Sequence, residues 1–81
     1  MNNSELKEAL LSQCPVIYRS VRYGETKYKC VYAIRYTLDK AKQLIIQAEL
    51  LDYNNNSITI ASGKDVFVDT ANGGVNKTDI I

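Results

Sequence analysis

Histidine and tryptophan are absent from this sequence, and proline, methionine and phenylalanine occur once each. Without histidine, the commonest general base and the commonest metal ligand are both missing. Cys14 and Cys30 are the only cysteines. Two thiols with no histidine do not complete a tetrahedral zinc site within one chain, so no metal and no cofactor are expected. There is no GxSxG, no P-loop and no GxGxxG pattern. Gly73-Gly74 has no strand before it and no helix after it. No apolar run is long enough to span a bilayer. The opening MNNSELKEALLSQC carries acidic residues early and lacks an apolar h-region. A secretory signal is therefore not expected, and a cytoplasmic location is. There the two cysteines should be reduced and at least partly buried.

What is present is a chain of 81 residues that is 46% hydrophobic. That suffices for one small core of modest stability. A single domain over residues 1–69 is expected, followed by a polar, glycine-rich flexible tail over 70–81.

The organising stretch is Cys30 to Tyr53, CVYAIRYTLDKAKQLIIQAELLDY. Side chains two apart share a face of a strand. Cys30, Tyr32, Ile34, Tyr36 and Leu38 form one apolar row; Val31, Ala33, Arg35 and Thr37 form the other. In the second run, Leu44, Ile46, Ala48 and Leu50 form the apolar row. Two half-apolar runs with a short link, DKAK, predict an antiparallel hairpin with one face in the core. Residues 40–51 also hold good helix formers near helical spacing. Ile45-Ile46 and the alternation onward to Tyr53 favour the strand.

Before the hairpin, residues 4–13 read as a helix capped by Asn3 or Ser4, with Glu5 in its first turn. Leu6, Ala9 and Leu10 line its apolar face, and Pro15 stops it. Strands are predicted over about 16–22, 27–38, 43–53, 57–61 and 66–68, with turns at 23–26, 54–57 and 62–65. The fold class is mainly β (α+β): an N-terminal helix followed by a four- to five-stranded antiparallel sheet. A small SH3-like barrel closed at one end by the helix is favoured over a helix on an open meander, because closure removes exposed edges.

LKEAL before Cys14-Pro15-Val16, the Tyr23 to Tyr28 region, Tyr32-Ala33-Ile34, Ala48 to Asp52 and Asn56 to Ile60 together form a further pattern. Across residues 5–68 it resembles a group of small uncharacterised proteins encoded by prophages and mobile elements of Firmicutes, clostridia especially. The resemblance implies a phage or mobile-element accessory protein and supplies no activity and no site residues.

Charge is unevenly spread. Between residues 19 and 42 stand Arg19, Arg22, Lys27, Lys29, Arg35, Lys40 and Lys42 against only Glu25 and Asp39. The rest of the chain is net acidic, so the formal total is only +1. Tyrosines interleave the basic residues. Tyr18, Tyr32 and Tyr36 read as core, which leaves Tyr23 and Tyr28 for a ligand. Glu49 with Asp52, and Asp65 with Asp69, are carboxylate pairs of a kind more often solvated than catalytic, and the chain is not expected to be an enzyme. The expected function is a protein-binding module whose contact surface is Arg19, Arg22, Tyr23, Lys27, Tyr28, Lys29 and Arg35. A bipolar surface suits self-association or an acidic partner. The second reading is a nucleic-acid binder using the same residues, cations on phosphates and rings on bases.

Overall fold

A computed structural model describes residues 1–70. The expected flexible tail lies outside the described residues, apart from Thr70. The chain is mainly β, with one N-terminal helix and two antiparallel sheets of three strands each.

Helix α1 spans Asn3–Ser12. Its cap is Asn2, one residue before the expected pair. The reason is a capping box: the Asn2 carbonyl oxygen Oδ1 accepts from the Glu5 N–H at 2.8 Å, and Glu5 Oε1 accepts from the Asn2 N–H at 2.8 Å. Only a cap at residue 2 puts Glu5 at the third helical position, where this exchange works. The helix ends at Gln13, which takes the left-handed conformation (φ 57°). The Gln13 amide then donates to the Leu10 carbonyl at 2.7 Å and to the Val31 carbonyl at 3.1 Å, tying the helix end to the sheet.

Sheet A contains β1 (Val16–Ser20), β2 (Gly24–Tyr28) and β6 (Val66–Val68), in the order β2-β1-β6. The first turn falls at residues 21–23, earlier than expected. Ser20 Oγ accepts from the Arg22 and Tyr23 N–H groups, and Gly24 supplies a positive φ of 76°. Glu25 is thereby drawn into β2, directly opposite Arg19.

Sheet B contains β3 (Cys30–Leu38), β4 (Leu44–Leu51) and β5 (Ile58–Ser62), in that order. The expected strand 27–38 is two strands. Lys29 breaks the run and donates its N–H to the Leu51 carbonyl at 2.8 Å, so the chain leaves sheet A and enters sheet B. Residues 44–51 are a strand, not a helix. Asp39 sets up their turn: its Oδ1 accepts from the Ala41 and Gln43 N–H groups at 2.8 and 2.9 Å. The β4–β5 turn is built likewise on Asp52, with Asn55 at φ 57°. A short 3-10 turn, Gly63–Asp65, leads into β6.

The core lies between α1 and the inner faces of the sheets: Leu6, Ala9, Val16, Val31, Ala48, Leu50, Ala61 and Val66. The expected inner row of β3 needs correction. Val31 is buried opposite Leu50, whereas Tyr32 is 58% exposed. A bulge at Tyr32 shifts the register between Val31 and Ala33. The extra residue switches the parity of the strand, so Val31 faces inward before it and Ile34 and Tyr36 after it. At the far end of the hairpin Leu38 and Leu44 are exposed. They lie one row past Tyr36, whose hydroxyl bonds the Asn3 side chain of α1, and no described element covers them.

Candidate functional site

Of the seven residues expected to form one contact surface, four come together and three lie in separate places. Cross-strand partners share a face of a sheet. Arg19 lies opposite Glu25, and Ile17 lies opposite Lys27 on one side and Phe67 on the other. Arg19, Lys27, Glu25, Phe67 and Ile17 therefore occupy the outer face of sheet A. Arg22 and Tyr23 sit at the adjoining turn, with the Arg22 guanidinium 5.9 Å from the Tyr23 ring centre. These four predicted residues are brought together.

The other three are not. Tyr28 lies opposite Val16, on the inner face, and packs against the core. Its hydroxyl donates to Thr59 Oγ1 at 3.1 Å. One place of alternation separates it from Lys27, and that place decides inside from outside. Lys29 sits at the junction of the sheets, its Nζ 2.9 Å from Asn55 Oδ1. Arg35 is on the outer face of sheet B, 3.7 Å from Glu49.

Arg19 is the most constrained of the cations. Its guanidinium carbon lies 4.5 Å from the centre of the Phe67 ring. Its Nε donates to Glu25 Oε2 at 2.8 Å. Phe67, which the sequence reading passed over, is the floor on which this side chain rests. Its pairing with Ile17 places it there, and no sequence spacing joins residue 67 to residue 19.

A second surface was missed as well. The outer row of sheet B runs through Ala33, Arg35, Glu49, Leu51, Ile58 and Ile60, by direct or diagonal pairing across the strands. The bulge adds Tyr32 to it. Tyr32 lines a depression of about 370 Å³ with Leu51, Asn55, Asn56, Ser57 and Ile58. Ile60, at 47% exposure, continues the apolar surface beside it. α1 packs on the inner side, and no described element covers this outer one. The signal in the sequence was the unbroken apolar run Cys30 to Ile34, where alternation lapses.

Two of the candidate carboxylates, Asp52 and Glu49, have structural partners. Asp52 accepts the Asn56 N–H at 2.8 Å and the Ser57 hydroxyl at 2.9 Å. The Asn56 N–H, first among its donors, holds the Asp52 carboxyl below the usual carboxylate range. Glu49 faces Arg35. Asp69 is buried, and its N–H donates to the Pro15 carbonyl at 3.0 Å. A larger groove, about 410 Å³, runs between α1 and β6, with Glu5, Glu8 and Cys14 among its lining residues. Among the described residues no three His, Cys, Asp or Glu side chains cluster as metal ligands. No described helix is long and apolar enough to cross a membrane.

Compared with protein-family models, with curated proteins and with solved structures, the chain finds no match.

Proposed function

We propose that this chain is a non-catalytic module that binds another protein through the outer face of sheet B. The observation that carries the reading is the bulge at Tyr32. Bulges re-aim side chains, and this one sends a tyrosine out to join Leu51, Ile58 and Ile60. A chain this short has little apolar surface to spare for solvent. An apolar patch with an aromatic anchor and a charged edge, here Arg35 and Glu49, has the composition of a protein interface. The non-catalytic part of the reading is supported by the absence of histidine and by the commitment of Asp52 to a turn and of Glu49 to an ion pair.

The arrangement of the strands fits an SH3-like barrel, which we propose as the architecture. Three features support it. β1 lies between β2 and β6, the β2–β3 run is bent at Lys29 and shared between the sheets, and a 3-10 turn precedes the last strand. A role as a phage or mobile-element accessory protein, acting on a host or phage protein, rests on the sequence resemblance alone.

The test is affinity capture from a clostridial host lysate with the wild-type chain and with Tyr32→Ala/Ile60→Lys, both checked for folding by circular dichroism. Loss of a specific partner in the double variant, at unchanged fold, supports the reading. Equal recovery of every partner by the two chains refutes this surface.

A further inference from the structure

We propose that the outer face of sheet A is a second, separate site, which binds single-stranded nucleic acid with Arg19 and Lys27 on phosphates and Tyr23 on a base. A guanidinium carries five N–H donors in a planar fork. In Arg19, Glu25 takes the one on Nε and Phe67 covers one face of the plane. The Nη groups remain for a ligand, on a side chain still 56% exposed. Stacking and the ion pair fix the fork before any ligand arrives, which lowers the ordering cost of binding. Planar, bidentate recognition of phosphate is what such an arginine does best.

Lys27 stands on the same face, two residues along β2 from Glu25. Ile17 beneath is buried, so the two cations sit over a dry floor. At the adjoining turn, Arg22 adds a third cation and Tyr23 is 76% exposed. Three cations against one carboxylate leave a positive surplus on a single hairpin. A ring exposed to that degree is available to stack on an unpaired base, and stacking of this kind accepts any sequence. A duplex keeps its bases paired and stacked and offers none to Tyr23. An acidic protein would meet the same cations, and displacement by polyglutamate in the experiment below is the outcome that points to it.

The experiment is fluorescence anisotropy of labelled oligo-deoxythymidylate titrated with the full chain across a salt series. Comparison chains are Arg19→Ala, Arg19→Lys, Lys27→Ala, Tyr23→Ser and a Lys40→Ala/Lys42→Ala control in the other basic turn. We expect micromolar binding at low salt that weakens as salt rises. Losing Arg19 or Lys27 should lower the salt slope by about 0.7 each. Tyr23→Ser should weaken binding by about 5- to 100-fold. Arg19→Lys should fall between wild type and Arg19→Ala, since it keeps the charge and loses the fork.

Three outcomes overturn the proposal. One is no binding at low salt. Another is a control that loses as much as Arg19→Ala. The third is binding that Tyr23→Ser leaves unchanged and that heparin or polyglutamate displaces as well as unlabelled oligonucleotide does, which means polyanion attraction only.

Discussion

Val31 stands directly opposite Leu50, and the next residue, Tyr32, has no partner on β4. Two neighbours thus have opposite environments, one wholly buried and one 58% exposed. Val31→Thr keeps the shape and buries a hydroxyl, so it should cost about 1–3 kcal/mol. The same threonine at Tyr32 should change stability by less than about 0.5 kcal/mol, as surface changes do. Urea denaturation of the two variants measures both. Equal costs would mean that no bulge separates the two side chains.

Gly63, in the 3-10 turn, sits close to the helix and to β4. A methyl group there would stand 3.0 Å from Leu6 Cδ1, 3.2 Å from the Met1 carbonyl oxygen and 3.3 Å from the Ile46 carbonyl oxygen. Side chains can give way, but two of the three neighbours are backbone. Gly63→Ala should cost about 1–3 kcal/mol by overpacking. Leu6→Ala alone should cost about 2–5 kcal/mol by leaving a cavity. The double variant should cost less than the sum, because the alanine methyl enters space that Leu6 vacates. A strictly additive double-mutant cycle would show that the two residues do not press on each other.

Most strands were legible in the sequence because their apolar positions alternate, and the last, Val66–Val68, was read to the residue; β2 was not, because GETKY has no apolar alternation and residues 23–26 were expected to form a turn. The turns at Asp39 and Asp52 follow from side chains that bond their own backbone. What was not legible has more than one physical source. A single unpaired residue offsets the alternation before it from that after it, so a pattern that placed Ile34 correctly assigned Tyr32 to the core and Val31 to the outside. Tyr28 was misplaced by the complementary error: proximity to a turn was taken for exposure, and the residue after Lys27 faces inward. The proximity of Phe67 to Arg19 depends on which strands are neighbours, and local pattern does not carry that information.

Asp52 gives a prediction in pH. Its folded carboxyl lies below the ordinary value of 3.8, chiefly because the Asn56 N–H donates to the charged form. A depressed carboxylate contributes stability that is fully present above the unfolded value and disappears as pH falls through the folded one. Asp52→Asn should therefore be less stable than wild type near neutral pH and should lose less stability on acidification below about pH 4. Urea midpoints measured from neutral to strongly acidic pH follow both chains. Parallel curves would show that the turn does not depend on the ionised carboxylate.

Arg19 tests whether an ordered surface side chain is there for the fold. Its ion pair with Glu25 is more than half exposed on both sides, and pairs of that kind contribute little. The stack on Phe67 should couple the two residues by about 0.5–1 kcal/mol. A double-mutant cycle of Arg19→Ala and Phe67→Leu, read by thermal or urea unfolding, measures that coupling. If it comes out small, as expected, the order of Arg19 is not explained by stability. A side chain held in one geometry at so little gain to the fold is then positioned for something outside it. A coupling of several kcal/mol would instead make Arg19 a structural residue that clamps β6 to β1, and the case for a ligand on sheet A would lose its central argument.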